Sequence, residues 1–352
     1  MKYDCIDEYT LDPVHITLIG GRGSGKTSLL GAMYHEILQN PSMGIRADDR
    51  TVLFLREIQS YLVEYLNGNN FFTGDGESHD FLFYLKARAT NEKRRFIYPF
   101  VFTDLPSGLF NDYNVGAYTE VASHSFQRST AVILTIDAPS LMSEEKIHNH
   151  YNSPFSIFNC LNPYFSELKK GSTVLFVLMR CEAYIQSPEL RNELFERVRK
   201  KYKAHIDFLV KNNIDCLGTW VETLGGVHFT HYENDGCRQM VPVYKTVGPY
   251  SPRNCETPLL LTLKQCTKTT KQKLEENMKS FGWRKLFRNI IGRKYEQLAV
   301  RGLSDVIERL DRCLGSVPKP NTFNLLSSDD EAEKRAIKDE SSGTNLNSKR
   351  LK

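Results

Sequence analysis

The sequence predicts an α/β fold: a mostly parallel sheet with one antiparallel hairpin strand, helices on both faces and further helices at the C-terminus. A short apolar strand at 14–19 leads through a glycine-rich loop into an amphipathic segment. Two strand-like segments, 81–87 and 96–103, are joined by too few residues for a crossover helix, so they should pair antiparallel. The runs 130–136 and 173–179 are continuously apolar, which is typical of parallel strands buried on both faces.

The helices between these strands follow from apolar side chains that recur every three or four residues. This spacing predicts helices at 28–39 and 51–66, the second lying in a helical insertion near 45–70. Further helices are predicted at 155–169 and 188–211.

The C-terminal half adds one strand and a helical region. A segment around 240–244 is predicted to be the last strand of the sheet, and Thr257-Pro258 to begin a C-terminal helix. Another helix is predicted at 302–314.

Three regions follow from this order of elements. Residues 1–255 form the predicted α/β domain and residues 256–317 a C-terminal helical region. Residues 318–352 lose the periodicity and are rich in charged and small polar residues, which predicts a disordered tail.

Composition narrows the class of protein. The chain has 352 residues, of which 40% are hydrophobic, enough for a large buried core. No apolar stretch approaches the roughly 20 residues that cross a bilayer, and the N-terminal segment is acidic. The eight cysteines contain no CxxC pair, which favours reduced thiols and a cytoplasmic location. A net charge of +4 is too small to indicate nucleic-acid binding, so no such partner is expected.

The segment GGRGSGKT fits the pattern GxxxxGK[ST] of a phosphate-binding loop, and it stands between a predicted strand and a predicted helix. Its glycines let successive backbone N–H groups point at phosphate oxygens, and the helix adds its positive dipole end. The motif predicts a P-loop NTPase fold. The predicted phosphate-binding residues are Gly20, Gly21, Arg22, Gly23, Ser24, Gly25, Lys26, Thr27 and Ser28.

Two side chains of this motif have specific roles in the prediction, and a third comes from another strand. Lys26 should reach the β- and γ-phosphates, and the Thr27 hydroxyl should bind Mg²⁺. Asp104 ends the second hairpin strand in TDLPSG, where a carboxylate can hold the water ligands of Mg²⁺. ATPases of the AAA and RecA kinds usually place a glutamate next, and here Leu105 follows.

The phosphate loop, the hairpin and TDLPSG resemble the translation-factor-related (TRAFAC) class of GTPases, and most of all the double-GTPase families of bacterial conflict and defence systems. The resemblance covers about residues 14–248. It implies that a glycine after the aspartate donates its backbone N–H to the γ-phosphate. Ser107 occupies that glycine position and Gly108 follows it, so either N–H could serve.

The same resemblance places a base-reading motif after the strand that ends at Met179. It implies that Glu182 accepts guanine N–H groups and that Arg180 lies against the base, with a further base-side loop near 244–248. The alternative is that both are charged residues of a strand-to-helix turn. We favour GTP, and ATP is not excluded.

The motif alone does not identify all the residues that hydrolysis needs. Thr73 or Ser78 could offer a hydroxyl to Mg²⁺ ahead of the hairpin. No glutamine follows Gly108 where Ras-like enzymes place one, and Arg22 could supply positive charge within the loop. With Lys26 and Arg22 as the catalytic candidates, we expect slow hydrolysis or an activating partner.

The function predicted is a GTP-binding protein that hydrolyses slowly and acts as a switch on a protein partner, in a bacterial conflict system by the resemblance. The alternatives are a nucleotide-binding scaffold without turnover and an ATP-dependent NTPase or phosphotransferase. The basic amphipathic segment 264–301 should pack on the sheet, with peripheral membrane contact by 280–294 as the less favoured alternative. The sequence does not indicate the partner or the oligomeric state.

Overall fold

A mixed sheet forms the centre of the fold. The computed structural model describes residues 8–66, 77–88, 95–110, 119–165, 172–236, 240–279, 290–316 and 322–323. Within these ranges the sheet has nine strands. In spatial order they are β11 (Thr322–Phe323), β8 (Asp215–Trp220), β7 (Thr173–Met179), β6 (Ser129–Asp137), β2 (Val14–Gly20), β5 (Arg95–Asp104), β4 (His79–Arg88) and β3 (Ile45–Ala47), while β1 (Glu8–Thr10) also pairs with β5.

The strand directions confirm the predicted fold class. β8, β7, β6, β2 and β5 run parallel to one another, and β4 pairs antiparallel with β5 from His79 opposite Asp104 to Arg88 opposite Arg95. Every residue of β7 is buried, as its continuous apolar run predicts. The parallel order brings the carboxyl ends of β2, β5, β6 and β7 to one edge of the sheet.

Helices cover both faces of the sheet. One face packs against α1 (Lys26–Gln39), α2 (Asp49–Leu66), α9 (Thr257–Lys279) and α10 (Ile290–Ser316) in a single hydrophobic cluster. The other face packs against α3 (Thr119–Arg128), α4 (Ala138–Met142), α6 (Pro154–Phe165), α7 (Pro188–Lys201) and α8 (Lys203–Lys211). The short helix α5 (Glu145–Asn152) follows α4. The C-terminal helices therefore share a core with the phosphate-loop helix α1.

The structure corrects two element predictions. The helix predicted over 188–211 is broken at Tyr202, whose buried ring makes edge contacts with His148 and Phe176 and ends α7. The prediction that a strand near 240–244 completes the sheet is wrong. β9 (Val227–Asn234) and β10 (Met240–Thr246) form a separate two-stranded hairpin, and Pro242 within β10 has no N–H to give to a neighbouring strand.

The predicted disordered tail is ordered at one point. Thr322 and Phe323 pair antiparallel with Thr219 and Gly218 of β8, because the outer edge of β8 offers backbone groups that no other described strand pairs with. The rest of 318–352 lies outside the described residues, as does 280–289 within the basic segment. In the portion of the chain that the structure describes, no helix is both long and apolar enough to cross a membrane.

Candidate functional site

The glycine-rich segment forms the loop that joins β2 to α1. β2 ends at Gly20, and α1 begins at Lys26 with Gly25 as its N-cap. Gly25 has a φ of 89°, a conformation that side chains other than glycine rarely adopt. The first N–H groups of a helix have no partner within it, so the start of α1 can donate to an anion held by the loop.

The loop also makes close contact with α5. A Cβ atom added at Gly21 would lie 1.8 Å from the carbonyl oxygen of Tyr151, so only glycine fits at this position. Within the loop, Ser24 Oγ hydrogen-bonds to Oγ1 of Thr135 on β6 at 2.8 Å, and the Ser24 N–H donates to the Gly21 carbonyl at 3.2 Å. The loop is therefore held by the neighbouring strand and helix as well as by its own backbone.

Lys26 is buried at this loop. Its Nζ donates a hydrogen bond to the carbonyl oxygen of Gly20 at 3.2 Å. Burial lowers the pKa of Lys26, and the negative charge of Asp104 opposes that shift. A phosphate group beside Nζ would add more negative charge and favour the ammonium form. The position suits the predicted phosphate contact, which stays a prediction.

Thr27 and Asp104 meet at the carboxyl edge of the sheet. Thr27 Oγ1 donates a hydrogen bond to Asp104 Oδ2 at 2.7 Å, although the two residues come from α1 and β5. Asp104 is buried, and on the neighbouring β4 the side chain of Asp80 accepts a hydrogen bond from Thr103 at 2.6 Å. A hydroxyl and a carboxylate at the mouth of a phosphate loop are the oxygen donors that Mg²⁺ prefers, so these residues fit that ion.

The positions of the other predicted phosphate-side residues give less support to a role in binding. Arg22 is exposed, and Ser28 is partly buried on the first turn of α1. Gly108 lies in a short 3-10 helix, Ser107–Phe110, where an added Cβ would have no neighbour within 4 Å. Ser78 is exposed, and Thr73 lies outside the described residues.

Arg180 bridges the end of β7 and the phosphate loop. Its guanidinium donates a hydrogen bond to the carbonyl oxygen of Gly23 at 2.8 Å and forms an ion pair with Asp137 at 2.6 Å. It also donates to the hydroxyl of Tyr244 and lies 5.6 Å from the centre of that ring. The residue has a φ of 58°. The structure thus brings Arg180 to the site, with its charged group held by Asp137.

Glu182 is buried on the same side of the site. Desolvation raises its pKa to about 7, and nearby Glu222 adds to the shift. Its carboxylate accepts the backbone N–H of Gly225, and Arg180 favours its charged form. Gly225 belongs to the loop after β8, and the predicted base-side loop near 244–248 lies against it, because the N–H groups of Val247 and Gly248 donate to the Gly226 carbonyl. The base-side role of 244–248 stays a prediction.

Sequence reasoning missed three residues of this site: Asp137, Tyr151 and Tyr232. For Asp137 a signal existed, because it ends β6 just as Asp104 ends β5, and carboxyl ends of parallel strands meet at one edge. The two tyrosines carried no such signal, because Tyr151 reaches the site from α5 and Tyr232 from the β9–β10 hairpin, and both positions depend on tertiary packing.

A mostly parallel sheet with β4 antiparallel to β5, a phosphate loop at the end of β2 and an aspartate at the end of β5 define a P-loop protein of the GTPase type. The chain belongs to the Double-GTPase 2 family, whose model matches residues 14–211, more than half of the sequence. This match confirms the resemblance to the double-GTPase families. Comparison of the sequence with curated proteins finds no match.

Three solved structures are similar in part. They are a bacterial selenocysteine-specific elongation factor (13% identity, TM-score 0.28), the GTPase-like domain of S. cerevisiae Ski7 bound to GTP (12%, 0.34) and sup35 complexed with GDP (14%, 0.31). The similarity covers 60%, 59% and 63% of this chain and 26%, 42% and 40% of those chains. The chain therefore spans less than half the length of these proteins, and the TM-scores are too low to support any argument about function.

Proposed function

We propose that the protein binds GTP with Mg²⁺ at the phosphate loop, hydrolyses it slowly and acts as a switch on a protein partner. The observation that supports this most is the convergence of Lys26, Thr27 and Asp104 at the phosphate loop of a Double-GTPase 2 chain. Each supplies a group that a nucleoside triphosphate needs, namely a cation for phosphate oxygens and oxygen donors for Mg²⁺.

In this proposal different residues bind the phosphates and the metal ion. Backbone N–H groups of the loop and the ammonium of Lys26 hold the β- and γ-phosphates. The Thr27 hydroxyl and the Asp104 carboxylate would hold Mg²⁺, Thr27 as a ligand and Asp104 through the water ligands of the ion. When bound, Mg²⁺ neutralises charge that develops on the transferred phosphoryl group.

The base would be read on the β7 side. An ionised Glu182 accepts two N–H groups of guanine, whereas adenine presents only one N–H₂ group and an acceptor at the equivalent edge. The aliphatic part of Arg180 lies alongside the base while its guanidinium stays on Gly23 and Asp137. This geometry supports guanine over adenine.

Slow turnover is supported by a property of the sequence. From Asp104 to Phe126 there is no glutamine to orient an attacking water. An activating partner would supply the missing group. The same observation favours a second candidate function, a nucleotide-binding protein without turnover. Release of phosphate from GTP, measured with the partner present, separates the two.

The test is a calorimetric titration with GTP, GDP, ATP and ADP, each with and without Mg²⁺. We expect binding of the guanine nucleotides, tighter GTP binding with Mg²⁺, and no binding to Lys26→Ala. Lys211→Ala is the matched control, because it removes an exposed lysine at the end of α8. Retained affinity in folded Lys26→Ala would refute the phosphate-loop assignment, and equal affinity for ATP would refute the guanine assignment.

A further inference from the structure

The β9–β10 hairpin lies beyond the segment that the family model matches, yet it contacts the phosphate site. An isolated two-stranded hairpin has little stability of its own in water, so its position must come from what it packs against. The Tyr151 hydroxyl donates to the Met240 carbonyl at 2.7 Å, and the Tyr232 hydroxyl donates to Asp137 at 3.2 Å. Tyr244 contacts Arg180. The hairpin is therefore held at the site by its own Tyr232 and Tyr244 and by Tyr151 of α5.

A β-bulge makes this contact. Phe229 pairs with Tyr244 and His231 with Val243, so Thr230 is the extra residue of β9. Residues three apart on a regular strand point to opposite faces, but one extra residue restores them to the same face. Phe229 and Tyr232 accordingly lie with ring centres 5.0 Å apart. The bulge turns Tyr232 to the same face as Tyr244, which is the face that meets Asp137 and Arg180.

Asp137, the last residue of β6, contacts several of these groups at once. It is almost fully buried, and one carboxylate oxygen forms the 2.6 Å ion pair with Arg180. The other oxygen accepts the Tyr232 hydroxyl and, at 3.0 Å, the backbone N–H of Ser140 at the start of α4. A buried carboxylate with these three partners has a fixed orientation, so it fixes the guanidinium in turn.

Because Arg180 also binds the phosphate loop, its fixed guanidinium restricts the loop backbone. Its bond to the Gly23 carbonyl sets the plane of the Gly23–Ser24 peptide. In a trans peptide the N–H points opposite to the carbonyl, so the Ser24 N–H is turned into the loop, where it reaches the Gly21 carbonyl. Without the bond from Arg180, the Gly23–Ser24 peptide and the Ser24–Gly21 hydrogen bond that closes the loop would be held less firmly. The glycine-rich loop would then present its remaining N–H groups to phosphate in a less fixed geometry.

We propose that Asp137, Tyr232 and Tyr244 are positioning residues that hold Arg180 on the phosphate loop, so that the β9–β10 hairpin sets how fast bound nucleotide dissociates. This inference rests on the proposed function. It assigns the hairpin, which lies outside the matched family segment, a role in nucleotide retention.

The experiment measures release of fluorescently labelled GDP after mixing with excess unlabelled GDP in a stopped-flow instrument. Tyr232→Phe and Tyr244→Phe each remove one hydroxyl, and we expect dissociation to accelerate about 3- to 10-fold while association stays unchanged. Tyr61→Phe is the matched control, because that tyrosine hydroxyl bonds to Glu57 on the surface of α2. Control and wild type should release GDP at the same rate.

A double-mutant cycle separates positioning from general stability. If Tyr232 acts through Arg180, then Tyr232→Phe has no further effect on dissociation when Arg180 is already alanine. The inference is refuted if both phenylalanine variants fold and release GDP like the wild type. It is also refuted if Tyr232→Phe accelerates release by the same factor in the Arg180→Ala protein as in the wild type. Wild-type protein that binds no labelled GDP refutes the proposed function, and the inference with it.

Discussion

Protonation of Glu182 should make guanine-nucleotide binding depend on pH. Burial raises the pKa of this carboxyl to about 7 in the protein without ligand. Only the ionised form can accept both guanine N–H groups, since the protonated form turns one oxygen into a donor. Binding therefore has to remove a proton from part of the population.

The size of the effect follows from that pKa. A group with a pKa of about 7 is roughly nine-tenths ionised at pH 8 and roughly one-tenth ionised at pH 6. If binding requires the ionised form, the affinity for GDP should fall about 10-fold from pH 8 to pH 6. Glu182→Gln should remove this dependence and weaken binding at pH 8, because the amide cannot accept both N–H groups.

The assay is titration with labelled GDP at several pH values for wild type, Glu182→Gln and the exposed-surface control Glu193→Gln. The terminal phosphate of GDP titrates equally in all three, so the slopes are compared with one another. Wild type and Glu193→Gln should share the steep slope. A wild-type slope identical to that of Glu182→Gln would refute the assignment of Glu182 as a base-reading residue.

The same carboxyl should influence stability without ligand. Its folded pKa lies above the reference value of 4.5, so folding takes up a proton between the two values. The contribution to the free energy of unfolding is present below pH 4.5 and is lost as the pH rises to about 7, by about 3 kcal/mol for a shift of this size. Denaturant unfolding of wild type and Glu182→Gln across this window measures it, and equal pH dependence would contradict it.

Further predictions concern the phosphate loop. Thr27→Ala should remove most of the difference between GTP affinities measured with and without Mg²⁺, and an unchanged difference in calorimetry would exclude Thr27 as a ligand. Gly21→Ala should lower the free energy of unfolding by more than about 3 kcal/mol, because its Cβ would collide with the backbone of Tyr151. Gly315→Ala should raise the free energy of unfolding by up to about 1 kcal/mol, because Gly315 lies in α10 with open space around it. Denaturant unfolding measures both variants, and equal stability of Gly21→Ala and Gly315→Ala would refute these two predictions.

Features set by local sequence could be predicted well. The bounds of β7 coincide with its apolar run, because a strand buried on both faces must be apolar throughout. The phosphate loop is specified by glycines at fixed spacing, and the meeting of Thr27 with Asp104 follows from the order of parallel strands. These features depend on few contacts beyond neighbouring strands.

Features set by distant contacts could not be predicted. The bulge at Thr230 has no glycine to mark it, and without it Tyr232 would face away from Asp137. The left-handed backbone of Arg180 is held by partners on three other segments, so no local propensity reports it. The break at Tyr202 depends likewise on rings from α5 and β7.

The position of β8 bears on how short a version of this protein could fold. The matched family segment ends at Lys211, before β8, so a polypeptide cut there would leave β7 with one long side open. An apolar edge strand with unpaired backbone N–H and C=O groups is a template for self-association. Such a truncation would also remove α9 and α10, which close the cluster around α1. The smallest soluble unit should therefore extend well past the family boundary, to the end of α10.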